Sequence, residues 1–281
     1  MSQTRIEAFL TELSTNGPLR RQFKFFPADV LNIYGFSEDE KRTLKTLDWK
    51  PISEYINQAF QKRLSFLKAN IPGVCILLGD ALETTFSAFC ERFPVKAKTS
   101  AQQEALQFIE YLTFYSDYPI PGYPYANDVL DFEKTRLEVT LNASLSSRYS
   151  LTPSEMAILE GDEWKLLKPR INEGLLLKRY AYPIDRIIRK LTSTEKVHPD
   201  PDETWVIFLR RRKNGKTIAR GVAATTRLLI TRCDGRTPIY DILERIRNEV
   251  LLTGKQLIYF EHDCRHFLKK LAQEGLLELV D

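Results

Sequence analysis

The chain has 281 residues, with 43% hydrophobic and 28% charged side chains and a formal net charge of +4. That length can bury a sizeable core and predicts two domains, and the composition excludes a disordered or collagen-like chain. The mild positive charge gives no general case for nucleic acid, for which a strongly basic domain is expected.

The first two thirds read mostly as helix. Ile6, Phe9, Leu10 and Leu13 share one face, closed by Asn16-Gly17. Pro27–Tyr34 is a short helix ended by Gly35, and Ser37 with Glu40 forms a capping box for the next. Pro51–Ala69, Gly73–Phe93 and Ser100–Tyr115 each carry apolar residues at helical spacing. A proline-aromatic loop, Tyr118–Tyr125, precedes a helix bearing Val129, Phe132, Leu137 and Leu141. Short helices with short connections predict a helical bundle over residues 1–150, with 1–50 as an additional helical segment.

Residues 151–202 read as a connecting region. It contains a second capping box, Thr152 with Glu155, then extended segments at Trp164–Lys168 and Gly174–Tyr182 and a helix at Pro183–Leu191. His198-Pro199-Asp200-Pro201-Asp202 is a polar, proline-rich linker.

Thr204–Val222 reads as a β-hairpin. The apolar run Trp205, Val206, Ile207, Phe208, Leu209 meets a basic tip, Arg210 to Lys213, and Asn214-Gly215 supplies the positive φ angles of a tight turn. Helices follow near Ala223, after Thr237-Pro238, and over Glu261–Glu274. Leu276–Val280 then returns as a third strand of the hairpin's sheet. The predicted fold class is α+β. Its N-terminal helical bundle precedes a winged-helix-like domain, residues 203–281, with a small three-stranded antiparallel sheet.

Four cysteines, Cys75, Cys90, Cys233 and Cys264, lie far apart without a CxxC pair, which predicts reduced thiols in the cytosol. No apolar run of bilayer length and no signal peptide is evident, so a cytoplasmic location without membrane contact is expected. His262 and His266 have the i, i+4 spacing of a metal pair, with Asp263 and Cys264 nearby. The stronger reading of EHDCRH is a polar N-terminal helix turn, because no third strong ligand accompanies the pair and HExxH is absent. GxSxG, P-loop and GxGxxG patterns are absent, which favours a binder over an enzyme.

Thr204–Val222 holds six basic residues (Arg210, Arg211, Arg212, Lys213, Lys216, Arg220) and no acid. As a wing the tip would touch phosphates. As a sheet edge it would accept a partner strand, and as protection it would keep an edge from aggregating. The loop tyrosines Tyr118, Tyr123 and Tyr125 read either as a partner surface or as a loop packed on its own helices.

The segment Pro124-Tyr125-Ala126-Asn127-Asp128-Val129-Leu130-Asp131-Phe132-Glu133 resembles the signature PYLPDVARLEW of a helical family described as DNA-binding. Pro72-Gly73-Val74, Leu78-Gly79, Phe86, Phe89 and Phe93-Pro94 precede it in the family's order. Tyr182-Pro183-Ile184, the hairpin Trp205–Arg210 and Gly275-Leu276-Leu277 follow. This order resembles the partner subunits of multinuclear iron oxidative enzymes, such as those of methanobactin and 3-thiaglutamate synthesis. Asn127 and Phe132 depart from the family's Pro and Leu, and residues 1–50 are an addition.

The resemblance implies a non-catalytic subunit without a cofactor of its own. Iron would reside in a TIM-barrel enzyme bound as a heterodimer partner. The chain would recognise a ribosomally made precursor peptide, whose cysteine the iron enzyme modifies. Its leader would add as a β-strand at Trp205, Val206, Ile207, Phe208, Leu209, Arg210 and Arg212, with Tyr118, Tyr123 and Tyr125 at the enzyme interface. The alternative is a winged-helix transcriptional regulator. It is disfavoured by Asp241, Glu244 and Glu249, which offset Arg245 and Arg247 in the candidate recognition helix.

Overall fold

The computed structural model describes residues 2–46, 49–93, 99–115, 122–142, 152–171, 174–193, 199–210, 215–251 and 255–280. The protein is α+β, and its contacts divide it into two compact units, Met1–Ala126 and Asn127–Asp281. The division falls upstream of residues 151–202, read from the sequence as the connecting region. The segment read as a connecting region belongs to the second unit.

The first unit is helical: α1 (Ser2–Thr15), α2 (Gly17–Phe25), α3 (Pro27–Ile33), α4 (Glu38–Thr46), α5 (Trp49–Asn70), α6 (Pro72–Leu78), α7 (Leu82–Arg92) and α8 (Ala101–Tyr115). The punctuation follows local chemistry. Asn16 caps α2 through its side-chain oxygen, which accepts the Leu19 N–H at 3.1 Å. Ser37 and Glu40 form the reciprocal capping box, with the Ser37 N–H donating to Glu40 at 2.8 Å. Between α6 and α7 the chain turns at Gly79, whose φ of 51° suits a residue without Cβ. Pro72–Arg92 is long and apolar enough to span a bilayer by composition alone. Here that break divides it, and Leu82, Phe86 and Phe89 lie in the core.

Phe9 anchors one part of this core, edge-on to Phe23, Tyr34 and Phe36 at centroid distances of 5.4, 4.9 and 5.2 Å. Residues 1–50 therefore carry a core of their own, completed by Leu13, Leu31 and Leu44. Phe86 and Phe89 pack against Phe108 at 5.5 and 5.3 Å. Arg63 Nε donates to the buried Glu104 carboxylate at 2.8 Å beside them.

The second unit contains α9 (Ala126–Leu141), α10 (Pro153–Glu160), β1 (Lys168–Ile171), β2 (Leu175–Tyr180), α11 (Ile184–Thr192), β3 (Thr204–Arg210), β4 (Thr217–Val222), α12 (Ala224–Arg232), α13 (Ile239–Val250), α14 (Lys255–Gln273) and β5 (Leu277–Val280). Thr152 and Glu155 make the expected capping box on α10. The three-stranded antiparallel sheet has the order β2-β3-β4. Its third strand is β2, from the segment read as a connector. The expected C-terminal strand β5 pairs instead with β1, Leu279 facing Pro169, in a separate two-stranded sheet. Gly235, at φ 77°, lies where a Cβ would meet Arg170 and Val280 at 3.1–3.3 Å, so it lets that ribbon close on the α12–α13 turn.

Gly17 is a site of close approach. A Cβ there would lie 2.6 Å from the Glu91 Cα and 3.2 Å from the Cys90 carbonyl oxygen, both backbone atoms of α7. The α2–α7 contact thus requires glycine. Gly17→Ala should lower stability by about 1–3 kcal/mol through forced separation of the two helices. Chemical denaturation followed by circular dichroism measures this, and an unchanged midpoint would show that α7 yields without cost.

Candidate functional site

β3 is the central strand, and its residues divide by alternation. Val206 and Phe208 face α9, where Phe208 meets Phe132 at 5.2 Å and Tyr180 at 6.5 Å. Ile207 and Leu209 face the opposite way, into a core with Leu229 of α12, Ile242 of α13 and Leu268 of α14. Helices on both faces explain why this strand reads as an unbroken apolar run, the pattern of a strand buried on two sides.

The face toward α9 also holds a polar group. Lys178 Nζ donates to both Asp131 oxygens at 2.7 and 2.8 Å and to Thr135 Oγ1 at 2.8 Å. The Tyr180 hydroxyl is buried beside them, and burial raises its pKa. Asp128 accepts the Tyr182 N–H at 3.0 Å, and burial raises its carboxyl pKa against that bond. The acids of the Pro124–Glu133 segment thus tie α9 to β2 and the chain that follows it. This is a structural role.

Both edges of β3 are hydrogen-bonded, to β2 with Leu177 opposite Ile207 and to β4 with Ile207 opposite Arg220. An added strand therefore cannot pair with Trp205, Val206, Ile207, Phe208 or Leu209 directly, as the sequence had suggested. Among the described residues, no strand pairs with the outer edge of β4. Against the face of β3 and β4 that carries Ile207 and Leu209 lies a groove of about 420 Å³, bounded on its other side by α14. Ile207 and Leu209 form its floor, Ile218 and Val222 its strand wall, and Phe267 and Leu271 its helix wall. Arg220, Lys270 and Glu274 stand at its margin. Sequence reasoning missed α14 as a wall, although Phe267 and Leu271 are spaced i, i+4 on one helix face.

The other predicted site residues separate. Arg210 is held by its own chain: its guanidinium donates to the backbone carbonyls of Gly215 at 3.3 Å and Asn142 at 3.1 Å. It steadies the base of the hairpin. Arg212, like the Asn214 half of the predicted turn, lies outside the described residues, and so does Tyr118. Trp205 is half-buried under the Arg227 guanidinium at 5.1 Å. Tyr123 is exposed, whereas Tyr125 is buried at 2% exposure and so presents no surface to a partner.

His262 and His266 both face solvent, while Cys264 points into the core. The i, i+4 pair and the thiol thus lie on opposite sides of α14. No group of three or more His, Cys, Asp or Glu side chains placed to hold a metal occurs among the described residues.

No family model matches the chain, and no curated protein matches it. The resemblance in Pro124–Glu133 therefore rests on those residues and their order alone.

All four cysteines are buried thiols, and none forms a disulfide. Burial pushes the thiols of Cys90, Cys233 and Cys264 up to about 12, with acidic neighbours adding to the shift at Cys264. A thiol reacts as its thiolate, so these three stay protonated and inert well above neutral pH. Iodoacetamide at pH 8–9 should label them only after unfolding, as peptide mass mapping would reveal. Rapid labelling of the native protein at Cys264 would mean that α14 opens.

Proposed function

We propose that this chain is a non-catalytic peptide-recognition subunit, in which β4 and α14 receive an extended segment of a precursor peptide as an added strand. The observation that carries this reading is the groove between α14 and the face of β3 and β4, with a β4 outer edge that no described strand pairs. Adding a strand satisfies main-chain N–H and C=O groups, and pockets on alternate sides select side chains. The groove supplies the pockets: an apolar channel between Ile218, Val222, Phe267 and Leu271, with Arg220 and Lys270 outside it. An apolar side chain followed by an acid suits that lining. The β3–β4 hairpin followed by α12, α13 and α14, with β2 completing the sheet, forms the winged-helix-like module of this reading, with β4 and α14 as its receptive elements.

The subunit would present its peptide to a multinuclear iron enzyme of TIM-barrel fold, which would hold the iron and oxidise a peptide cysteine. The resemblance of the Pro124–Glu133 segment supports this partner, and the exposed Tyr123 remains a candidate contact. A cytoplasmic heterodimer is the corresponding assembly. Mixed charge on α13, with Asp241, Glu244 and Glu249 beside Arg245 and Arg247, counts against a nucleic-acid role.

Selection from a random peptide library, then titration of the recovered peptides against a proline scan of Thr217–Val222, tests the reading. Proline removes a backbone donor, so folded variants at the outward-facing N–H positions should lose affinity at least tenfold. Affinity should fall only modestly between low and moderate salt, because main-chain pairing carries no charge. If every folded proline variant binds as the wild type does, recognition does not use β4.

A further inference from the structure

A second cavity, of about 760 Å³, opens in the first unit, independently of the peptide-binding reading. Its size falls within the roughly 300–1,000 Å³ of small-molecule sites. Leu13, Leu31 and Leu44, each at most 2% exposed, form an apolar base, and Phe23 and Ile56 extend it toward solvent. Phe25 stands at the mouth with 64% of its surface exposed. Such an aromatic is a cost in water that an apolar ligand would relieve.

The polar part of the lining is one-sided. Among the described lining residues, Arg20, Arg21, Lys24 and Lys45 contribute four cations and Glu91 one acid. Arg21 is ion-paired with Glu91, which neutralises that acid and leaves three cations in excess. Arg20 is half-buried and fixed, its Nη1 donating to the carbonyl oxygens of Leu13 at 3.0 Å and Ser14 at 2.8 Å. Both bonds come from one nitrogen of a five-donor fork. Lys24 and Lys45 are exposed, on α2 and at the end of α4, so they border the opening rather than fill the base.

An apolar base beneath a ring of unbalanced cations selects a ligand with a hydrocarbon part and an anionic head. We propose that this cavity binds a free fatty carboxylate, its chain over Leu13, Leu31 and Leu44 and its head between Lys24, Lys45 and Arg20. Hydrocarbon burial supplies affinity, at roughly 0.8 kcal/mol per buried CH₂ in the transfer limit, and the cations set the sign of the head group. A neutral apolar ligand would leave the cations unused. A short acid would leave the apolar base wet.

Calorimetric titration of the full chain with three soluble probes separates these terms: dodecanoate, butanoate and dodecyltrimethylammonium, each below its micellar concentration. Dodecanoate should bind at one site per chain, at least tenfold more tightly than either of the others. The double variant Lys24→Glu/Lys45→Glu alters only exposed positions and should weaken dodecanoate at least tenfold. Ile56→Trp, which fills the cavity from its partly exposed side, should abolish binding. Should Ile56→Trp fail to fold, the charge-reversal pair decides alone. Equal binding of dodecanoate and butanoate, equal binding of the cationic probe, or unchanged binding by the folded double variant would each overturn the proposal. Co-sedimentation with phosphatidylglycerol vesicles is a separate arm: binding to vesicles without binding to dodecanoate would assign the face to a lipid surface and overturn it too.

Discussion

The second unit depends on the burial of one strand, Val206–Leu209 of β3. β3 is paired along both edges and covered on both faces, by α9 on one side and by α12, α13 and α14 on the other. A buried main-chain polar group without a partner costs about 1–3 kcal/mol, so a strand in this position must be flanked. That constraint fixes β2 and β4 in place and displaces any outside interaction to the sheet's margins. At the β4 margin the sheet and α14 leave a channel, and the side chains that floor it, Ile207 and Leu209, belong to the central strand itself. The strand that holds the unit together thus also shapes the recognition surface proposed for its neighbour.

Charged groups in this unit chiefly fasten elements. Lys178 gathers Asp131 and Thr135, and Arg210 closes the hairpin onto two carbonyl groups. Gly221 lies opposite Val206 on the face toward α9 and α11, where a Cβ would sit 2.9 Å from an Asp185 oxygen. β4 is therefore seated on α11 through its smallest residue, which leaves Ile218, Arg220 and Val222 directed to the groove side. The alternation of one six-residue strand separates the residues that seat it on α11 from those that line the groove.

Much of this was legible locally. Capping boxes at Ser37–Glu40 and Thr152–Glu155 and the paired strands β3 and β4 are short-range signals, and each left a mark in the sequence, whereas Gly73–Phe93 read as one helix and the break at Gly79 was missed. What else was not legible is long-range. Gly174–Tyr182 read as extended, but nothing in LLLKRY names β3 as its partner. Leu276–Val280 read as a strand, yet its pairing with Lys168–Ile171 is set by the turn at Gly235 and not by its own residues. Tyr125 carries the side chain of an interface residue, and only the fold shows it buried. An apolar run such as Trp205–Leu209 reports burial without saying whether a helix or a ligand supplies it, so the docking strand was placed one position inward of β4.

In the proposed function β4, not β3 and not the helical unit, is the receptive edge. Amide hydrogen exchange with and without a saturating bound peptide tests it residue by residue. Main-chain addition predicts new protection at alternate amides of Thr217–Val222, with a smaller change along the Phe267–Leu271 face of α14 and none in β3, whose amides are already paired. Protection that appears only among the helices of Met1–Ala126, with β4 unchanged, would contradict the account.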